Sequence, residues 1–427
     1  MNRDRPTNTA ASGTIGNVLE WYDFTVFGFL APQISGQFFP ASDAHSGLLK
    51  TFGVFAIGYL ARPVGGLLFG QIGDRFGRTR ALQLSVAAMA VPTSLIMVLP
   101  TYAQVGLLSP LLLLVLRLVQ GISAGGEFVG SSTYLVEIAE RHHRTASGSW
   151  TMSGAVLGLL LGSGAAACTR YLLTPDQFAT WGWRAPFLGG MLIGIVGWQM
   201  RRSLQEPADF ERLQATSGTE AWPVAQVLRE MPWRIAQVVG ISLLLGVGVY
   251  TLFVWMPTYL VTFVRPPVTH ALVINTAAMT LLLILTPLAG WLGDQVGYRN
   301  LFAVGSFGMA LTAVPLFGLM ESGSAASVGI VMAAFAVLMA SIEGTLAVAM
   351  AECFPARVRY SGSAIAYNLM FALFGGTTPL VATWLVRKTG SLTAPAWYVT
   401  IAALISFLCA LSLPRRHSAL AQRDTTW

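Results

Sequence analysis

The chain has 427 residues, of which 54% are hydrophobic and only 11% charged, with 44 glycines and 23 phenylalanines. Soluble domains carry roughly 25% charged residues, so this composition excludes a soluble enzyme and puts most of the surface against lipid. Cys168, Cys353 and Cys409 are too few and too scattered for a disulfide framework or metal cluster, and the net charge of +7 sits in short clusters between apolar runs, which argues against nucleic acid as a partner.

Taken in order, the apolar runs fall at about 11–37, 47–72, 79–99, 106–136, 146–173, 184–200, 234–263, 270–292, 300–320, 325–351, 360–386 and 394–413. They predict an all-α integral membrane protein of twelve transmembrane helices. The first run is too long and too acidic for a cleaved signal peptide and is expected to stay as span one. A polar tail over 1–10 precedes it, and residues 414–427 form a second tail. Of the 26 Lys and Arg residues, 18 fall in the tails and connections that share one side if both termini are inside, six fall on the other side, and Arg62 and Arg117 lie within spans. The positive-inside rule then favours cytoplasmic termini.

The longest polar stretch, 201–233, divides the chain into six-helix halves at 11–200 and 234–413. A weak repeat supports the division. Gly70, Asp74 and Gly77 after span two recur with the same spacing as Gly290, Asp294 and Gly297 after span eight. After span four, Glu137 precedes Arg144 by seven and Ser147-Gly148 follows; after span ten, Glu352 precedes Arg359 by seven and Ser361-Gly362 follows. Two parallel repeats around a central site are the layout of secondary transporters with alternating access.

The segment Gly70-Gln71-Ile72-Gly73-Asp74-Arg75-Phe76-Gly77-Arg78-Thr79-Arg80 resembles the loop signature of the major facilitator superfamily. Longer segments are narrower: Gly16 to Phe24, Arg62 to Gly66, Arg117 to Glu127, Trp181 to Phe187 and Phe354 to Tyr360 resemble the metabolite:proton symporters, a family with carriers for citrate, 2-oxoglutarate, shikimate, proline and betaine. The resemblance covers about 13–413. It implies the major facilitator fold, two pseudo-symmetric halves, and spans one, four, seven and ten around the cavity. The osmosensing proline/betaine carriers often end in a long coiled coil; the chain here stops about 14 residues after Leu413 without heptads, so regulation through such a coil is not expected.

An ionisable group at mid-membrane costs about 3 kcal/mol or more, so each one calls for a partner or a task. Glu20 and Asp23 share one face of span one, where two close carboxylates suit proton coupling; the alternative is neutralisation by Arg62 or Arg117. Arg117 is expected either to hold a substrate carboxylate by a charge-assisted fork or to pair with Asp23 when the site is empty. Arg62, before Pro63, reads as structural, reaching the carbonyl that the proline frees. Glu127, beside Gly125 and Gly126, is either a cavity residue or part of close helix packing. Glu343 is the one acid well inside spans seven to eleven, with no Lys or Arg to join it. Tyr250 and Trp255 in span seven and Tyr367 and Asn368 in span eleven are candidate binding groups, through cation–π faces or as ordinary packing. Met256-Pro257 is expected to bend span seven.

On the resemblance, Asp74 receives the N-terminus of span eleven near Tyr360 and forms an inner latch with Arg78 and Glu137, echoed by Asp294, Glu352 and Arg357, with Gly70 and Gly77 permitting close approach. His142 and His143 read as solvated charge.

No G-x-x-x-x-G-K-[ST] is present, so no nucleotide partner is expected, and no Ser/His/Asp set or metal cluster appears within the spans, so no enzyme activity is expected either. The expected activity is import of a small carboxylate-bearing metabolite, a zwitterion such as proline or betaine or an organic acid, by proton symport. It needs no cofactor beyond the coupling proton and takes place in a bacterial-type inner membrane, with a monomer as the working unit. Proton-driven efflux by exchange and a non-transporting solute sensor remain the alternatives.

Overall fold

The computed structural model describes residues 6–39, 44–216, 222–268, 270–321 and 323–414. Arg3, Arg5, Arg415, Arg416 and Arg423, which contribute to the expected orientation, lie outside the described residues.

Among the described residues, twelve helical rods make up the bundle and no strand occurs. Span one is Pro6–Phe29, continued after Leu30 by Ala31–Phe38; spans two to six are Ala44–Arg75, Arg78–Val98, Leu108–Ile138, Arg144–Leu172 and Ala185–Arg201. Span seven runs as Pro232–Val249, a π turn Tyr250–Trp255 and Met256–Thr262. Spans eight, nine and ten are Ala271–Val296, Tyr298–Met320 and Ala325–Ala351. Span eleven runs as Arg359–Met370, a π turn Phe371–Gly375 and Thr378–Thr389, and span twelve is Ala394–Leu411. Ten of the rods are long and apolar enough to cross a membrane on their own. The other two are span six, 17 residues long, and span one, which carries Asn17, Glu20 and Asp23.

The π turns have a sequence cause. Pro257 and Pro379 lack the N–H that would bond the carbonyl four residues back, so the ladder widens just before each. In span seven the orphaned carbonyl is that of Phe253, and Asn275 of span eight donates to it at 3.0 Å. The bend expected at Met256-Pro257 is thus a π turn stabilised by a neighbouring amide.

Glycines decide where helices touch. A Cβ on Gly65 would lie 1.9 Å from the Ile122 carbonyl oxygen, and one on Gly121 would lie 2.0 Å from that of Gly58, so spans two and four press backbone to backbone. A Cβ on Gly70 would come 2.8 Å from Ser361 Cα, and one on Gly290 2.5 Å from Ser149 Oγ. Span two of the first half therefore lies on span eleven of the second, and span eight lies on span five.

Between the halves, short helices Ala208–Thr216 and Pro223–Glu230 run under one end of the bundle, hereafter the linker side. Glu206 caps span three there, accepting the Arg78 and Thr79 N–H groups at 2.9 Å each. Phe210 is buried, and the Arg78 guanidinium lies 5.1 Å from its ring.

Candidate functional site

Glu20 and Asp23 leave span one on the same face, yet each has its own arginine. Arg62 Nη1 donates to Glu20 Oε1 at 2.7 Å, and Arg117 Nη1 donates to Asp23 Oδ2 at 2.6 Å. All four side chains are at most 1% exposed. Of the two arrangements expected for these carboxylates, the structure has the neutralised one, as two ion pairs, because spans two and four each bring a guanidinium to the intervening space.

Arg117 makes the pair with Asp23 expected of an empty site, while Arg62 departs from its expected structural place. The polar contacts of Arg117 stay within the first half: Asp23, and Gln120 Oε1 at 3.0 Å, with its guanidinium 3.6 Å from the Phe27 ring centroid. Thr93 and Gln120 donate to Asp23 Oδ1 at 2.8 and 2.9 Å and complete a network of spans one, three and four. Arg62 is the arginine that reaches the second half. Its Nε donates to Asn368 Oδ1 at 3.4 Å and its guanidinium lies 5.4 Å from the Phe371 ring, instead of turning to the carbonyl freed by Pro63. It lies 13 residues before Arg75, roughly 20 Å from the linker-side end of its helix.

Around Arg62 the halves meet through aromatic rings. Tyr59 and Tyr250 join hydroxyl to hydroxyl at 3.0 Å, Trp21 meets Phe371 edge-on at 6.5 Å, and Tyr367 stacks on Phe128 at 4.3 Å. Tyr250 and Phe371 open the two π turns, so the widened backbone turns sit against this cluster. Asn368 clamps across by donating to the Gly125 carbonyl at 2.6 Å. Several buried polar atoms here have no hydrogen-bond partner among the described residues: Glu20 Oε2, Arg62 Nη2, Trp21 Nε1 and Tyr367 Oη. Such atoms are costly in a dry interior, and together they offer one acceptor and three donors to a polar ligand.

Other expected site residues lie elsewhere. Trp255 donates to Thr383 at 2.9 Å and packs on Tyr259, inside the second half. Glu127 is bound to Arg201 and Ser85 within the first half. Arg201, assigned above to the polar linker, is fully buried at the end of span six. Glu343 accepts from Thr286 Oγ1 at 3.2 Å and has no other polar contact among the described residues.

On the linker side Asp74 accepts the Tyr360 and Ser361 N–H groups at 3.2 and 2.7 Å, capping span eleven. Arg78 donates to Asp74 at 2.6 Å and to Glu137 at 3.1 Å, and reaches across to the Ala356 carbonyl at 2.8 Å. In the second half, Asp294 accepts the Thr145 and Ala146 N–H groups at 2.9 Å each, capping span five. Glu352 lies 3.8 Å from Arg144. Arg357 takes no part: it is exposed in a short 3₁₀ turn, and Arg359 two residues on makes the buried pair with Glu137. These contacts close the linker side. His142 and His143 are exposed beside Glu140.

A family model described as Major Facilitator Superfamily matches residues 13–376. The chain belongs to the Major Facilitator Superfamily. Within the superfamily it is 35% identical over 410 residues to a putative proline/betaine transporter of Staphylococcus aureus, covering 96% of this chain and 88% of that one. It is 33% identical over 419 residues to the glycine betaine/proline/ectoine/pipecolic acid transporter OusA of Dickeya dadantii, covering 96% and 83%. Among solved structures it superposes on the proton:xylose symporter XylE bound to 6-bromo-6-deoxy-D-glucose with a TM-score of 0.79 at 17% identity, covering 97% of each chain. The TM-score falls to 0.64, at 18% identity and covering 96% and 97%, against the inward-open xylose transporter of E. coli. The protein is a multi-pass membrane transporter with the twelve-helix, two-half superfamily fold, and its relatives are named as transporters, not enzymes.

Proposed function

We propose that this protein imports a small zwitterionic osmolyte of the proline or betaine kind together with a proton. Its setting is a bacterial-type inner membrane, with the linker side and both termini cytoplasmic and a single chain as the working unit. The carrying observation is the Glu20–Arg62 pair, whose free Oε2 and Nη2 lie among aromatic rings where the halves meet. A zwitterion matches both atoms. Its carboxylate takes Arg62 Nη2, and its cationic end faces Glu20 Oε2 and the Tyr59, Tyr250 and Phe371 rings, each cation–π contact being worth about 0.5–2 kcal/mol. A tricarboxylate would bring three negative charges to a site with one arginine.

Asp23 and Arg117 are the coupling pair in this reading. Protonating Asp23 removes the charge that holds Arg117, whose Nε and Nη2 have no partner of their own. Phe24 links the two sites: the Arg117 guanidinium lies 5.7 Å from its ring centroid, and the Tyr59 ring centroid is 4.8 Å on the other side. Proton and solute are coupled if each favours the states the other favours.

The test is uptake of radiolabelled glycine betaine and proline into proteoliposomes with an imposed inside-alkaline gradient. Accumulation that collapses with a protonophore supports symport. Extrusion establishes exchange-driven efflux instead, and binding without flux establishes a sensor.

A further inference from the structure

Glu343 is a buried acid that the mechanism above leaves unused. It is 1% exposed, on span ten, nine residues and so roughly 14 Å before Glu352 at the linker-side end. Spans four, five, seven, eight, nine and eleven all pack on span ten. Span eleven contributes the titratable Tyr367, whose buried hydroxyl has no hydrogen-bond partner among the described residues. Of the charged groups on these spans, Arg117 pairs with Asp23, Glu127 with Arg201, Glu137 with Arg359 and Arg144 with Glu352, Asp294 caps span five, and Arg170, Arg234, Arg299, Arg387 and Lys388 sit at span ends.

Thr286 Oγ1 of span eight lies 2.8 Å from the Leu282 carbonyl and 3.2 Å from Glu343 Oε2. Its one hydrogen can serve either acceptor, so a charged Glu343 has at most this one long hydroxyl donor and no Lys or Arg partner among the described residues. Burying a carboxylate with so little support is costly, and a protonated carboxyl removes that cost.

We propose that Glu343 is a second proton-binding carboxyl of this carrier, seated in the half opposite Asp23. The inference rests on the symport reading above. Its route to water follows from packing. A Cβ on Gly344 would lie 2.7 Å from the Thr286 carbonyl oxygen, and one turn further along span eight Gly290 abuts Ser149 of the other half. Parting of the halves on the linker side opens this edge, and the proton leaves there.

The experiment has two arms. Infrared difference spectra of the protein in nanodiscs, without cargo, are recorded across a pH titration for the native chain, Glu343→Gln and Asp23→Asn. A protonated-carboxyl band present in the native chain and in Asp23→Asn but missing in Glu343→Gln is expected; survival of that same Asp23-independent band in Glu343→Gln overturns the proposal. In proteoliposomes the reversal potential of solute flux gives the protons moved per solute, and Glu343→Gln is expected to lower that number by one. An unchanged number overturns the proposal, and Glu343→Asp, which keeps the carboxyl, is expected to keep the band. Because the infrared arm needs no substrate, its outcome stands apart from any failure of the transport reading.

Discussion

Arg359, at the start of span eleven, donates a 2.9 Å hydrogen bond to Glu137, at the end of span four in the opposite half. Both side chains are buried, and Glu137 also holds Arg78, so one carboxylate ties a loop of its own half to a helix of the other. A hydrogen bond to a charged group is worth about 1.5–3 kcal/mol, and removing one partner strands the other. Arg359→Gln should therefore move the balance between linker-side-closed and linker-side-open forms about 10- to 100-fold toward open. Maleimide labelling of cysteines placed on the linker-side cavity wall reads this out; unchanged labelling would remove the pair from the latch.

Gly70 and Gly28 make a steric contrast. A Cβ at Gly70 meets the backbone of Ser361 across the interface between halves, while nothing lies within 4 Å of one at Gly28. Overpacking costs about 1–3 kcal/mol. Gly70→Ala is expected to raise linker-side labelling and slow transport at least severalfold, with Gly28→Ala near native in both. Equal behaviour of the two variants would contradict the close contact.

Removing the charge at Asp23 frees Arg117 without deleting a side chain. Asp23→Asn should abolish accumulation against a gradient while leaving solute exchange, as measured by counterflow in vesicles. Arg117→Ala should stop uptake without loss of folded protein. Native pH dependence in Asp23→Asn would assign coupling to another group.

Glu20→Gln keeps the shape of the proposed cation-facing oxygen and loses its charge. Affinity for glycine betaine, measured by calorimetry, should fall about tenfold or more, which corresponds to about 1.4 kcal/mol. Arg62→Lys should weaken binding as well, since an ammonium cannot fork between Glu20, Asn368 and a carboxylate. An organic acid without a cationic group should be insensitive to Glu20→Gln.

The apolar runs gave the spans because lipid makes length and hydropathy nearly sufficient, and the matched spacings around Asp74 and Asp294 reappear as matched caps on spans eleven and five. The site was less legible. Helical spacing puts Glu20 and Asp23 on one face but says nothing of which neighbour supplies an arginine. A signal for Arg62 was present: Arg62, Gly66, Gly70 and Gly73 step by four, four and three along one stripe, and the three glycines abut span eleven, which places Arg62 on the face toward the second half. Arg201 was hidden because the hydropathy drop begins there, although its side chain turns back to Glu127. Arg357 and Arg359 cannot be told apart by composition; the 3₁₀ turn Ala356–Val358 points one outward and hands the other to Glu137.

The likeness of the two halves fails at Arg78. Arg78 stitches the first loop to Asp74, Glu137 and Ala356, but the position that follows Gly297 is Tyr298, whose hydroxyl turns to Pro414 at 3.4 Å. The seam at spans five, eight and ten is left with the helix cap and the longer, partly solvated contact of Arg144 with Glu352. A door fastened firmly along one jamb and loosely along the other swings from the loose side, so inward release should begin beside span five, with span eleven acting as the hinge.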